Sequence, residues 1–353
     1  MVWRWRVELV FVVSGAALML AVRRHTPFAI LRERLQRLAI PLIFGMLVIV
    51  PPRVYYERLQ RGQFHGSFLD FLPHIADGFY PAGNLSWHHL WFIPYVLVLT
   101  AAIMPLFLWM RAPHRRRWLD PLMADIAEKH LYWLLVVPIG LAELMLRVQQ
   151  SDSHNLISDG HGWLEFGTLL VLGGCLAEWP VILAAVQRER YASLVVGLVA
   201  YSALRVEWPT ITDNPSALPL TDAIGWCNLS ALNVLAWVLT VTGFVTRWLS
   251  RSSPALTYLT EAALPVYILH QTLIVFAVYH LNHIHWPAVV KFLVTVSFSL
   301  LGSFALYELV IRRSRWLRLM FGVKQRAREI GPEVLLPEGL PSAATSRSRG
   351  RSS

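Results

Sequence analysis

The sequence predicts an all-α membrane protein, a polytopic bundle of about nine transmembrane helices. Three observations carry this prediction: the composition, the repeated apolar runs of helical length, and the placement of basic residues between those runs. Of the 353 residues, 55% are hydrophobic and 15% are charged, whereas about 25% of the residues in a soluble domain are charged. A surface this poor in charge cannot face water, so the composition excludes a soluble globular protein.

Nine apolar runs are long enough, or nearly so, to cross a bilayer. A spanning helix needs roughly 20 residues for about 30 Å of hydrocarbon. The run 191–206 is short, and Arg205 closes it. The predicted spans are 7–22, 38–55, 89–110, 131–148, 162–184, 191–206, 221–246, 256–281 and 287–311.

Basic residues follow alternate spans. Of the 32 Lys and Arg residues, 24 lie in the segments 23–37, 111–130, 187–190, 247–253 and 312–353. The intervening connections 149–161, 207–220 and 282–286 contain none. The positive-inside rule assigns the basic set, and with it the C-terminus, to the cytoplasm. The net charge of +10 is therefore a topology signal. No compact basic domain exists to bind nucleic acid, so we expect no nucleic-acid partner.

The predicted organisation is one transmembrane domain followed by two short segments. Residues 1–311 form the domain, 312–330 a basic segment at the membrane surface, and 331–353 a disordered tail rich in Pro, Gly and Ser. Nine spans with a cytoplasmic C-terminus put the N-terminus outside, yet residues 1–6 contain no signal peptide. We therefore expect one further helix in front of Met1.

Several ionisable residues lie within or beside the spans, where an unpaired charge is costly. Glu143 and Arg147 stand at i, i+4 spacing, which favours an ion pair within one helix. Glu165 and Glu178 fall near the two ends of one predicted span, within reach of lipid headgroups. Glu308 precedes Arg312 and Arg313, so we expect a local ion pair there.

Three polar sites within the spans resist such simple accounts. The Ser14-Gly15 pair is either a close helix contact or part of a site. His88 and His89 open a span beside tryptophans, which fits either an interfacial aromatic belt or proton handling. His270, in "LPVYILHQTLIVF", is either a structural residue or a functional one, with Tyr267 and Gln271 as its nearest polar neighbours.

Five motifs then occur in a fixed order: "FVVSG", "RERLQRLAIP" (32–41), "HLWFIPYVLVL" (89–99), "EAALPVYILHQTLIV" (261–275) and "YELVIRRSRWLRLMFGVK" (307–324). Together they resemble the acyltransferase-3 family of integral membrane acyltransferases, and most of all the branch of glucan biosynthesis protein C. The resemblance covers about residues 7–324. It implies a bundle of about ten helices in the cell membrane, for a bacterium the inner membrane.

The resemblance also implies a reaction, in which an acyl group passes from cytoplasmic acyl-CoA, as co-substrate, to a hydroxyl of a glycan in the cell envelope. No bound cofactor and no metal are expected, and membrane lipids surround the bundle. The expected catalytic residues are His89 and His270. By their motif positions, the expected residues for acyl-CoA or substrate are Ser14, Arg34, Arg37, Trp91, Tyr267 and Gln271.

One departure from the family pattern bears on activity. The family's first helix carries an arginine and, about ten residues later, a histidine, and no such pair precedes "FVVSG" here. Two alternatives to an active acyltransferase therefore stay open. One is a transporter or flippase for a glycan or lipid, and the other is a truncated, inactive homologue.

Overall fold

A computed structural model describes residues 5–149, 156, 158–211, 219–249 and 253–324 of the chain. These residues form an all-α bundle in which successive helices are joined by short connections. The helices are α1 Trp5–Val22, α2 Pro27–Gln60, α3 Phe68–Phe71, α4 His88–Met110, α5 Pro113–Glu128, α6 Val136–Gln149, α7 Gly160–Glu178, α8 Pro180–Arg188, α9 Arg190–Ile211, α10 Leu220–Trp248, α11 Pro254–Asn282, α12 Ala288–Ile311 and α13 Arg315–Met320.

Six of these helices (α1, α2, α4, α10, α11 and α12) are long and apolar enough to cross a membrane. Two bent pairs, α5 with the segment after it and α7 with α8, raise the number to eight if each pair counts as one span. The predicted number of nine is therefore too high for the described residues. The run at 191–206 is helical, as α9, but Arg190 and Arg205 leave too few apolar residues between them for a full span.

The bend between α7 and α8 corrects the predicted continuous span 162–184. The two helices meet at 104°, and Trp179 between them is extended (φ −116°, ψ 98°). The next residue is Pro180, whose ring disfavours helical geometry in the residue before it. The indole Nε1 of Trp179 donates to Asp120 of α5 at 2.7 Å. A proline and a tertiary hydrogen bond thus fix the bend together.

Glu178, the last residue of α7, does not reach lipid headgroups as predicted. Its side chain is only 4% exposed and forms ion pairs with Arg23 at 3.0 Å, with Arg111 at 3.5 Å and with Arg116. The three arginines come from the end of α1, the end of α4 and the first turn of α5. Glu178 therefore holds four helices together at one end of the bundle.

Helices α1 and α7 cross in backbone contact. A Cβ atom on Gly15 would lie 1.8 Å from the carbonyl oxygen of Leu170, and one on Gly173 would lie 1.9 Å from that of Val12. Only glycine leaves room for such an approach. Beside the crossing, the rings of Phe11 and Phe166 stack with centroids 4.2 Å apart. The Ser14-Gly15 pair is thus part of a helix contact.

Helix α2 is 34 residues long and contains two π-helical segments, Leu35–Ala39 and Gly45–Ile49. Each segment lies two residues before a proline, Pro41 or Pro51. A proline nitrogen cannot donate the main-chain hydrogen bond of a regular helix. The Thr272 hydroxyl of α11 donates to the Ile49 carbonyl at 2.7 Å. This bond ties α11 to the widened part of α2.

The connection after α2 folds against the bundle. Buried Arg58 donates to the side chains of Asn84 and Gln63, at 3.1 and 2.6 Å, and to the carbonyls of Pro81 and Gly83, at 2.8 and 2.6 Å. One guanidinium therefore anchors much of residues 61–87. At α3, hydrogen bonds from Ser67 lower the pKa of the exposed Asp70 carboxyl below its ordinary value.

Two of the basic segments, 23–37 and 312–324, contact each other. Arg37 donates to the Gly322 carbonyl at 3.4 Å, and Arg318 pairs with Glu261 near the start of α11 at 2.9 Å. Glu308 forms the predicted local ion pair with Arg312 at 2.8 Å. Segment 331–353 lies outside the described residues.

Candidate functional site

The candidate site forms where α11 meets the start of α4, and His270 is its first member. This half-buried histidine lies one helical turn after Tyr267, near the middle of α11. Its Nδ1 is 2.5 Å from the main-chain carbonyl of Tyr267. Because a carbonyl oxygen only accepts hydrogen bonds, Nδ1 carries the hydrogen, and the neutral ring keeps its lone pair on Nε2. The Nε2 of His270 is therefore the atom that can take a proton.

His89 lies beside His270, their ring centroids 5.7 Å apart and their planes nearly perpendicular. Its Nε2 is 3.0 Å from the carbonyl of Ile268 on α11, so this nitrogen carries the hydrogen. The hydroxyl of Tyr267 donates in return to the carbonyl of His89. The structure thus brings the three predicted residues His89, Tyr267 and His270 into one cluster, although α4 and α11 are far apart in sequence.

Arg53 of α2 completes this cluster and was not singled out by the sequence. Its Nη1 lies 3.5 Å from Nδ1 of His89, the nitrogen that holds the lone pair. The guanidinium donates towards this atom, so the lone pair of His89 is engaged, whereas no contact of this kind is described for Nε2 of His270. A signal was present in the sequence, because "PPRVYY" places an arginine at the end of an apolar run.

The other predicted residues lie apart from the histidines or contribute packing. Trp91 packs on Phe166 and Tyr95, with ring centroids 5.5 and 5.7 Å away. Ser14 is half-buried beside the α1–α7 contact. Gln271 is half-buried on α11. The hydrogen bond described for the His270 ring is accepted by the main-chain carbonyl of Tyr267, not by Gln271. The substrate roles of Ser14, Trp91 and Gln271 stay predictions.

Arg34 and Arg37 lie at the opposite end of α2 from Arg53. Nineteen residues separate Arg34 from Arg53, which corresponds to about 28 Å at 1.5 Å per residue. Arg34 is half-buried, and exposed Arg37 pairs with Glu33 at 3.3 Å. The two arginines and the histidine cluster are therefore separated by about the thickness of the hydrocarbon core.

A second polar cluster lies among α6, α7 and α10 and was also missed. Glu165 is fully buried, not near headgroups as predicted, and its carboxylate is 2.8 Å from Nε2 of His161. Glu143 accepts from the Ser230 hydroxyl at 3.1 Å. Its predicted partner Arg147 has no described side chain. Sequence reasoning could have found the i, i+4 spacing of His161 and Glu165, but not the approach of α6.

This second cluster has donor atoms that could hold a metal ion. One donor atom from each of Glu143, His161 and Glu165 lies within 4.8 Å of the others, and all three side chains are buried. Imidazole nitrogen and carboxylate oxygen are the ligands of many zinc sites. Tyr95, which donates to Asp159 at 2.5 Å, connects the neighbourhood of this cluster with the aromatic side chains around Trp91.

Comparison with known proteins decides the family. The family model Acyl_transf_3, described as an acyltransferase domain, matches residues 1–308. The chain belongs to this family. No curated protein and no solved structure matches the chain, so the glucan biosynthesis protein C branch has no relative to support it. The matched region contains His89, Trp91, Tyr267 and His270, and it includes Arg53.

Together, family and fold identify a multi-pass membrane protein with a general acyltransferase role. Its α-helical spans supply the membrane bundle. The reactive groups that they bring together are two imidazoles, a phenol and a guanidinium, which can move a proton and stabilise negative charge.

Proposed function

We propose that the protein is a membrane O-acyltransferase that moves an acyl group from acyl-CoA to a hydroxyl of a glycan in the cell envelope. The observation that carries the proposal is the His270–His89–Tyr267–Arg53 cluster within a chain of the acyltransferase-3 family. The branch of glucan biosynthesis protein C, suggested by the motifs, makes a glucan the first acceptor to test.

The reaction needs a base, because a neutral hydroxyl is a weak nucleophile. Nε2 of His270 takes the proton from the acceptor hydroxyl, and the oxygen attacks the thioester carbonyl carbon. The carbon–sulfur bond then breaks, the ester forms, and the departing thiolate receives the proton from the imidazolium of His270. Free CoA and the O-acylated glycan are the products.

The tetrahedral intermediate carries negative charge on the former carbonyl oxygen. A positioned donor at that oxygen lowers the barrier. Arg53 is the cation of the cluster, and its guanidinium has further N–H groups beyond the one directed at Nδ1 of His89. We assign to Arg53 the stabilisation of this oxyanion, and to His89 and Tyr267 the positioning of the cluster through their bonds with α11.

The two ends of α2 suit two substrates. The basic end, with Arg34 and Arg37, suits an acyl-CoA that approaches from the cytoplasm, and the other end suits an acceptor outside the cytoplasm. This assignment makes the C-terminus cytoplasmic and, in a bacterium, the inner membrane the location. The separation of about 28 Å means that the acyl end of the donor must enter the bundle to reach His270.

The decisive experiment follows label from acyl-CoA into glycan in proteoliposomes. We expect His270→Ala to lower transfer by about 100-fold or more, the lower end of what one positioned proton-transfer group contributes. His283→Ala, at the end of the same helix, serves as the control. Normal transfer by a folded His270→Ala variant would contradict the base assignment.

The same assay separates the alternatives. A glycan transporter or flippase moves its cargo without consuming acyl-CoA, whereas the acyltransferase releases free CoA in step with acceptor labelling. An inactive homologue gives neither signal. Absence of label and of CoA release from the wild-type chain, with every candidate acceptor, would overturn the proposed function.

A further inference from the structure

A cleft lined by three arginines opens at the basic end of the bundle, away from the histidine cluster. It has a volume of about 620 Å³ and is lined by Arg23, Arg111, Pro113, Arg116 and Glu178. The lining residues come from the ends of α1, α4 and α7 and from the first turn of α5.

Glu178 holds the arginines in place without using all their hydrogen-bonding capacity. Its carboxylate is 4% exposed, whereas the side chains of Arg23, Arg111 and Arg116 are 34%, 32% and 34% exposed. The negative group therefore lies at the bottom of the cleft, with the guanidiniums at the opening. Each guanidinium has five N–H donors, and the contacts with Glu178 engage only some of them.

The charges of the cleft leave an excess of positive charge. Besides Glu178, the acidic group in contact is Asp120, which is half exposed and 3.2 Å from Nε of Arg116. Three guanidiniums thus face two carboxylates. An anion is the ligand that would restore neutrality, and guanidiniums bind phosphate through paired hydrogen bonds.

The first turn of α5 adds a second argument for an anion. The N-terminus of a helix carries partial positive charge, which favours acidic residues there. The turn in question reads PHRRR and contains no acidic residue, and no side chain caps it. Basic residues at this position oppose the helix dipole. A bound anion at the cleft would offset both the dipole and the arginines.

We infer that this cleft binds the phosphate groups of an organophosphate ligand. Resting on the proposed function, that ligand is acyl-CoA, whose nucleotide phosphates would occupy the cleft on the cytoplasmic side. An anionic lipid carries the same phosphate chemistry, and the test must separate the two sources.

The experiment measures binding to the full chain in nanodiscs of phosphatidylcholine. The probes are adenosine 3′,5′-bisphosphate, which has phosphates but no thiol arm, and pantetheine, which has the thiol arm but no phosphate. We expect Arg23→Gln and Arg116→Gln each to weaken bisphosphate binding by about tenfold or more, the loss of one charge-assisted hydrogen bond. The controls are Arg24→Gln and Arg117→Gln, which remove the same charge from exposed neighbours outside the cleft.

A further variant guards against misfolding. Removing one arginine leaves the buried Glu178 carboxylate with less compensation, so the double variant Arg23→Gln with Glu178→Gln keeps the net charge unchanged. It should fold and still bind the bisphosphate weakly. A folded double variant with wild-type bisphosphate binding would overturn the inference.

The lipid arm repeats the measurement in nanodiscs that contain phosphatidylglycerol. If this lipid displaces the bisphosphate from the wild-type chain and less so from Arg116→Gln, phosphate binding is supported and the lipid is a source. If the cleft variants bind the bisphosphate and phosphatidylglycerol as well as the control variants do, the inference fails. Acyl transfer without bisphosphate binding would overturn the phosphate-binding role of the cleft and leave the proposed function standing. Bisphosphate binding without acyl transfer would overturn the proposed function and leave the cleft's role standing.

Discussion

At the residue scale, Arg53 distinguishes the two histidines of the cluster. Its guanidinium lies 3.5 Å from the lone-pair nitrogen of His89, while no such contact is described for the corresponding nitrogen of His270. The two imidazoles thus differ in one contact, and that contact comes from a residue of another helix. The proposed division of roles between them rests on this difference.

The first prediction tests Arg53. Arg53→Gln should lower acyl transfer by about tenfold or more, because a donor to developing negative charge is lost. Arg53→Lys should keep part of the rate, since the charge remains. Arg61→Gln, which removes an exposed arginine directly after the end of the same helix, is the control. Equal rates for Arg53→Gln and Arg61→Gln in the transfer assay would refute the role given to Arg53.

The second prediction concerns Gly322, where the segment after α13 meets α2. Gly322 has φ +68°, and a Cβ there would lie 2.4 Å from the Arg37 carbonyl oxygen. Gly62 has a similar φ of +64°, but nothing lies within 4 Å of its Cβ position. Gly62→Ala therefore reports the left-handed backbone cost alone, about 1–2 kcal/mol. Gly322→Ala should lower the thermal unfolding midpoint in detergent further; equal shifts would mean that the close approach is not real.

The site could be predicted only where its contacts are local. His270 and Tyr267 are one turn apart, so the sequence already placed them together. Arg53 and His89 join them through contacts between helices, and hydrophobic periodicity does not say which helices are neighbours. Glu165 was assigned to the headgroups for the same reason, because its burial depends on α6 and α10.

Among the elements, the crossing of α1 and α7 gives the third prediction. Gly173→Ala should reduce the yield of folded, monodisperse protein, because the new Cβ meets the Val12 carbonyl oxygen at 1.9 Å. Gly225→Ala in α10 makes the same chemical change with nothing within 4 Å. It should be neutral or slightly stabilising, by up to about 1 kcal/mol from helix propensity. Size-exclusion chromatography in detergent compares them, and similar profiles would contradict the close crossing.

The long helices are easier to predict from the sequence than the positions at which a helix is interrupted. Long apolar runs gave α1, α4, α10, α11 and α12 closely, since lipid forces a spanning chain to satisfy its main chain as helix. Pro180 separates α7 from α8, yet Pro265 lies inside α11, which continues as one helix on both sides of it. The difference comes from tertiary bonds at Trp179 and Glu178, which the local sequence does not reveal.

At the scale of the whole molecule, the fourth prediction is the orientation of the bundle. Reporter fusions that are active only outside the cytoplasm should give strong signals at residues 155 and 213 and weak signals at 30 and 115. The reason is the placement of the basic residues between alternate predicted spans. The reverse pattern of signals would invert the topology and, with it, the side assigned to each substrate.

The paired glycines of the α1–α7 crossing also limit how this sequence can evolve. Gly15 and Gly173 each face a main-chain carbonyl, not a side chain. Every amino acid carries that carbonyl, so no second substitution on the opposite helix can make room for a larger residue. A compensating substitution, which usually allows packed positions to change during evolution, is therefore not possible at either glycine. Descendants of this chain that keep the crossing must therefore inherit both glycines together, while the side chains around them remain free to change.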